Sequence, residues 1–120
     1  MKAVRIDIET ATDGSFTGYG SAVAGIGTLY AVQLVDGDLS DGVDVTITAE
    51  HSDLSIPLLV KADFNTDQIA YPRVLEALNT DGTALGTHCE PLVFGRPKVV
   101  IASGGAVKTG AVILYVREHL

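Results

Sequence analysis

Four places along the chain hold residue types that do chemistry in other proteins. The first, Gly104-Gly105-Ala106-Val107-Lys108-Thr109, has the look of a phosphate-binding loop. Such a loop needs a glycine directly before its lysine and another upstream, and it opens a helix whose amides hold the anion. Here Val107 precedes Lys108, and a strand-like run follows. The segment reads as a glycine-rich turn. The second is the aspartate set Asp36, Asp38, Asp41 and Asp44. Calcium takes about six to eight oxygen ligands, which a carboxylate loop can supply. In the calcium-loop pattern, however, Gly42 falls one place late and Ile47 occupies the position of the bidentate glutamate. Asp and Gly also dominate ordinary turns, so a solvated loop is the expectation. The third is His88-Cys89, with His51 and His119 distant in sequence. Adjacent residues of an extended segment point apart rather than share a metal, and a Cys–His nucleophile pair would need the fold to bring a distant histidine to Cys89. The fourth, Ser103 in Ala102-Ser103-Gly104-Gly105, lacks the Gly-x-Ser-x-Gly elbow and its following helix. No catalytic, cofactor-binding or metal-ligating residue is assigned, and the chain is not read as an enzyme.

Composition narrows the partners. Lys and Arg total 8 against 15 Asp and Glu, for a formal charge of −7. An acidic domain lacks the footprint that neutralises phosphates, so nucleic acid is not an expected ligand. Anionic membrane is not expected either, because no basic amphipathic helix is present. The single Cys89 excludes an internal disulfide framework and a multi-cysteine zinc site. Met1-Lys2-Ala3-Val4-Arg5-Ile6-Asp7 carries charges where a signal peptide needs an apolar stretch. No apolar run has the length of a membrane helix. The expectation is a soluble protein made in a cytoplasm.

The elements that carry these residues read as strands. Lys2 to Thr10 alternates strictly, with Val4, Ile6 and Ile8 on one face and Arg5, Asp7 and Glu9 on the other. Val43, Val45, Ile47 and Ala49 alternate equally well with Asp44, Thr46, Thr48 and Glu50. Thr28 to Val35 is a strand apolar on both faces, and Leu54 to Lys61 one that Pro57 confines to an edge or a bulge. Leu92 to Phe94 reads as a short strand. Pro72 to Leu78 is the one helical candidate, closed by Asn79-Thr80-Asp81-Gly82. Residues 11–27 are too glycine-rich for a helix, and residues 63–68 and 79–91 read as loop. At 120 residues this is one domain, 1–120. Short strands separated by turns imply an all-β fold, a jelly-roll-like β-sandwich with at most one short helix.

The chain ends in two β-branched runs, Lys98 to Ala102 and Ala111 to Val116, around a Ser103–Gly110 turn, which read as a hairpin. In the second run Val112, Leu114 and Val116 fill one face, while Ala111, Ile113 and Tyr115 fill the other. A strand apolar on both faces must be covered on both. With 47% hydrophobic residues in so small a domain, the surplus is expected to face partner subunits. The expected contact residues are Leu29, Val32, Leu34, Val112, Leu114 and Val116, with residues 69–91 shaping the fit.

Three segments together, Ile6-Asp7-Ile8-Glu9-Thr10-Ala11-Thr12-Asp13-Gly14-Ser15, Asp41-Gly42-Val43-Asp44-Val45-Thr46-Ile47-Thr48 and Lys98 to Gly110, resemble a family of small structural proteins of tailed bacteriophages. These are proteins of the kind that decorate or cement the head. The match is absent from residues 52–95. The resemblance implies a jelly-roll-like domain that binds the major capsid protein as a symmetric homo-oligomer, with a trimer favoured. It implies synthesis in the cytoplasm of a bacterial host and residence on the capsid surface of the virion. A neck or tail adaptor, or a fibre component, is an alternative within the virion. A calcium- or carbohydrate-binding β module is an alternative outside it.

Overall fold

A computed structural model describes residues 1–75 and 86–119. Among them there is no helix, and the strands are β1 (Lys2–Glu9), β2 (Phe16–Tyr19), β3 (Val23–Val35), β4 (Asp44–His51), β5 (Leu54–Lys61), β6 (Gln68–Ala70), β7 (Val74–Leu75), β8 (His88–Cys89), β9 (Leu92–Ala102) and β10 (Thr109–His119). The chain is all-β. Eight strands form one antiparallel sheet in the order β1-β10-β3-β9-β4-β5, with β6 added to β3 and β2 to β9; β7 and β8 pair separately.

The sheet folds over on itself into a sandwich. One layer is β1-β10-β3-β6 and the other is β2-β9-β4-β5. They join where the start of β9 leaves β4 and pairs with β3, at Val23↔Gly95, Gly27↔Val93 and Thr28↔Leu92. The wet-faced strands settle as their alternation requires. Val4, Ile6 and Ile8 of β1 face Val45, Ile47 and Ala49 of β4, Val99 and Ile101 of β9, and Leu58 of β5 in one buried cluster. Each such aliphatic side chain contributes about 1.5–3 kcal/mol by leaving water. Pro57 lies on the edge strand β5, and the register slips beside it, so that Leu58 is an extra residue turned into the core. Edge and bulge coincide there, as a missing backbone donor demands.

Several expectations need correction. The closing segments are not a hairpin: β9 pairs with β2, β3 and β4, whereas β10 lies between β1 and β3. Residues 103–108 therefore form an arch from one layer to the other. Both runs are apolar enough to sit inside a sheet, and composition alone does not say whether they pair with each other. Val74 and Leu75, within the expected helix, are the strand β7; residues 76–78 lie outside the described residues. Within the glycine-rich stretch 11–27, Phe16–Tyr19 is a strand on β9 and Val23 begins β3. The short strand at Leu92–Phe94 continues through Pro97 to Ala102. Of the expected loop 79–91, residues 79–85 lie outside the described residues, and His88–Cys89 is the strand β8. Phe64, in a stretch expected to be polar loop, is the largest fully buried side chain.

Candidate docking face

The six expected contact residues, Leu29, Val32, Leu34, Val112, Leu114 and Val116, are each 0% exposed. They belong to the interior cluster between the layers, not to the surface. The physical reason is parity. On a two-faced strand either set of alternate residues can face inward, and a shift of one residue exchanges the faces. β10 turns the valine–leucine set in, so Ala111, Ile113 and Tyr115 make up the outward set.

That outward set belongs to a sheet face with a definite order. Cross-strand register aligns Arg5, Ile113, Gln33 and Ile69 in one row across β1, β10, β3 and β6. The next row toward the start of β1 is Ala3, Tyr115 and Ala31, and on the other side lies Asp7, Ala111 and Val35. The pairing of β10 with β3 slips between Tyr115 and Val116, leaving Tyr30 as an extra residue between Ala31 and the buried Leu29. Such a bulge puts two successive side chains on one side of the sheet. Tyr30 therefore joins Ala31 on the outer face, in edge-on contact with Tyr71 at 5.7 Å between ring centroids. Three of the four tyrosines of the chain, Tyr30, Tyr71 and Tyr115, are thereby gathered around one shallow depression.

The face is fixed by polar contacts at its edges. The Tyr115 hydroxyl donates to Gln33 Oε1 at 2.8 Å, which locks the ring down on the sheet. The Arg117 guanidinium stacks on Tyr30, 4.5 Å from its centroid, and Arg73 lies 5.9 Å from the same ring. Arg73 also donates to the Tyr30 carbonyl at 3.1 Å. Glu90 binds this end together, accepting from Thr28 Oγ1 at 2.7 Å and from Arg117 Nε at 3.1 Å. Burial by itself would push the Glu90 carboxyl up. The hydrogen bonds from Thr28 and Arg117, with the charges of Arg117 and Arg73, outweigh it and hold the group below its ordinary value.

At the β6 edge of the face Ile69 is 53% and Tyr71 54% exposed. The depression there has a volume of about 180 Å³ and is lined by Met1, Tyr30, Ala31, Ile69, Tyr71 and Tyr115. Sites for small molecules run to about 300–1,000 Å³, so this one is sized for a protruding side chain. Tyrosine and arginine around an apolar centre is also the composition of protein–protein contact surfaces. The opposite outer face differs: on β4 it presents Asp44, Thr46, Thr48 and Glu50.

The chemically suggestive residues are placed as follows. Asp38 accepts from the Thr109 amide and hydroxyl, and Asp44 from the Asp63 amide at 3.1 Å, so both tie loops down. The Asp36 amide donates to Asp67 at 2.8 Å. The Asp36 carboxyl is pushed up by burial and by the charges of Asp41, Asp67 and Asp38. Among the described residues no group of three or more His, Cys, Asp or Glu is arranged to hold a metal ion. His88 and Cys89 are exposed neighbours on β8. His51 packs edge-on against Phe94, 5.5 Å between centroids, far along the chain from either. Ser103 and Lys108 lie in the arch between the layers, and no helix follows them.

Of this candidate face, sequence reasoning included Ile69, Tyr71, Arg73 and Glu90 within residues 69–91 but not Tyr30, Ile113 or Tyr115. Its signal lies in the three tyrosines, but Tyr30 and Tyr115 sit on two-faced strands, and Tyr71 follows β6, a three-residue strand between the expected loop 63–68 and the expected helix. The chain matches no protein-family model, no curated protein and no solved structure.

Proposed function

We propose that this chain is a structural protein of a tailed-phage virion, which decorates the head and cements it by binding across major capsid protein subunits as a symmetric oligomer. One observation carries this reading: three blocks of sequence resemble head-decoration proteins, and those blocks are neighbours in the fold. The first supplies β1 and the turn after it, the second β4, and the third the end of β9 with the arch. β4 pairs with β9, and the first block touches the arch through Thr10 and Gly14. The finer jelly-roll character implied by the same resemblance belongs to this reading.

Other features are compatible with it. A cement protein works by multivalent attachment, in which weak contacts repeated by symmetry add to a firm clamp. A rigid two-layer domain with a tyrosine-rich face suits that task, and an acidic surface opposes clumping of particles. The test uses purified virions. The protein should be present in a copy number that follows the major capsid protein, and particles stripped of it should lose resistance to heat or osmotic shock. A copy number fixed by the single neck would place it in an adaptor instead. Absence from particles would overturn the reading.

A further inference from the structure

An Asp-Gly step is a place where a polypeptide can rearrange its own backbone. The glycine amide nitrogen bonds to the aspartate side-chain carbon Cγ, a carboxyl oxygen leaves as water with two protons, and a five-membered imide closes. Water then opens the imide. Where it breaks the bond between the α-carbonyl and the glycine nitrogen, the main chain runs on through the side chain as isoaspartate. No co-reactant but water takes part, and the overall composition is unchanged. Glycine permits the attack because it has no side chain to obstruct it. Two things oppose it: a charged carboxylate, which repels the nucleophile and has no water to release, and an acceptor that holds the glycine amide.

The chain has four such steps, at Asp13, Asp36, Asp41 and Asp81, the last lying outside the described residues. The Gly14 amide donates to the Ala11 carbonyl at 3.0 Å, and the Asp13 carboxylate accepts from the Ser15 amide at 3.0 Å and hydroxyl at 2.6 Å. The Gly42 amide donates to Asn65 Oδ1 at 2.7 Å. Asp36–Gly37 is built differently. It opens a turn that the Leu39 amide closes on the Asp36 carbonyl at 3.0 Å. The Asp36 amide is held by Asp67 at 2.8 Å and the Asp38 amide by the Thr109 carbonyl at 3.0 Å. The Gly37 amide between them has no acceptor among the described residues. Asp36 Oδ1 is buried and likewise has no hydrogen-bond partner.

We infer that Asp36 is a self-modification site, converted to isoaspartate through the free Gly37 amide in preference to Asp13 and Asp41. Charge works in the same direction. Burial and the neighbouring Asp41, Asp67 and Asp38 push the Asp36 carboxyl up, so its neutral, reactive form persists to higher pH. Hydrogen bonds from Ser15 pull the Asp13 carboxyl down and keep it ionised. The product matters to the fold because Asp38, two residues on, accepts from the Thr109 amide and hydroxyl at the start of β10. An extra main-chain carbon between Asp36 and Gly37 displaces that clamp, so the modified molecule is the less stable one.

The test is to incubate the purified full chain at mildly acidic to neutral pH, digest it, and fragment the peptides by electron transfer, which tells isoaspartate from aspartate. Isoaspartate should build up at residue 36 several-fold faster than at residues 13 and 41. In urea, where the hydrogen bonds are gone, that preference should vanish. Asn65→Ala frees the Gly42 amide and should raise isoaspartate at residue 41 several-fold, with residue 36 and far-UV circular dichroism unchanged. Equal yields at the three residues of the folded protein overturn the inference, as does a larger yield at residue 13 or 41. A preference for residue 36 that persists in urea also overturns it, since local sequence and not the fold would then be its cause, and so does an Asn65→Ala variant without effect at residue 41. The virion reading rests on copy number in particles and is untouched by these outcomes.

Discussion

Thr10 and Lys108, 98 residues apart in sequence, hold each other by reciprocal hydrogen bonds. The Thr10 amide donates to the Lys108 carbonyl at 2.9 Å, and the Lys108 amide donates to Thr10 Oγ1 at 2.8 Å. The same hydroxyl donates to the Gly105 carbonyl at 2.6 Å. Thr10 is the only buried polar residue among those described, at 3% exposed. One hydroxyl thus fastens the arch between the layers to the end of β1. Replacing it with a methyl leaves a donor and an acceptor without partners. Thr10→Val should cost about 1–3 kcal/mol, read as a lower denaturant midpoint, while Thr10→Ser should recover most of it. A Thr10→Val variant as stable as the parent, with the loss in Thr10→Ser instead, would mean that the methyl, not the hydroxyl, does the work.

Phe64 is 0% exposed and follows β5 in a segment otherwise exposed to water. Its amide is tied to the Val43 carbonyl at 3.0 Å, so the ring plugs the sandwich from its own loop. Phe64→Ala should cost about 3–5 kcal/mol, a large part of the stability of a small domain. Phe64→Leu should cost much less. Thermal or denaturant unfolding of the two variants checks this, and a small effect of the alanine would show that the loop swings away without harm.

Gly95 and Gly86 make a paired test of backbone against space. Both have φ near +77°, at 76° and 78°. A side chain at Gly95 would run into the Glu50 carbonyl and lie 2.8 Å from His51 Cβ, whereas at Gly86 nothing stands within 4 Å. Gly86→Ala should cost about 1–2 kcal/mol from backbone strain alone. Gly95→Ala should cost clearly more, because β9 passes from β4 to β3 at that residue and cannot move without unpairing one of them. Equal costs would show that the junction is pliable.

The Asp36 carboxyl, raised by burial and by Asp41, Asp67 and Asp38, gives a pH prediction. A folded state that raises a carboxyl above its unfolded value of about 4 binds that proton more tightly than the unfolded chain does. The charged form therefore costs stability at neutral pH, and acidification toward the unfolded value relieves the cost. Asp36→Asn should be more stable than the parent at pH 7, by up to about 0.5 kcal/mol, as expected for a change near the surface. The difference should shrink as the pH falls toward 4. Asp38 and Glu90 act with the opposite sign. Hydrogen bonding from the Thr109 amide lowers Asp38, and for Glu90 the hydrogen bonds and arginine charges overcome burial. Their contributions are present above the unfolded values and are lost below about pH 4. A melting temperature that falls on acidification in the parent, and falls further in Asp36→Asn, is the expected pattern.

What was legible in the sequence follows from how each strand meets water. β1 and β4 have one wet face, so the alternation around Ile6 and Ile47 named both the strand and its buried side. β3 and β10 are apolar on both faces, and the pattern offered no means of choosing which set turns inward. Assigning the valine–leucine set to the outside gives the wrong parity. Leu114 and Val32 went inside, and the true outer set, with Ile113, Tyr115 and Ala31, was left unassigned. The bulge that brings Tyr30 to that face is a property of pairing and has no local signature. β2 was hidden by its glycines, since Gly18 and Gly20 leave space that Phe16 and Val4 side chains occupy. Phe64 was hidden because a single aromatic among polar residues has no periodicity to read.

The position of β10 has a consequence for how the chain reaches this state. Among the described residues it is the tenth strand, yet it lies inside the sheet, pairing Lys2 with Val116 on one side and Leu34 with Val112 on the other. Until it is synthesised, β1 has no hydrogen-bonded neighbour and β3 offers one open edge. The nascent polypeptide therefore has to wait for residues 109–119 before this layer closes, and topologies so dominated by distant pairing fold in milliseconds to seconds rather than microseconds. During that wait the vacant edges are open to wrong strands, so refolding yield should drop as protein concentration increases.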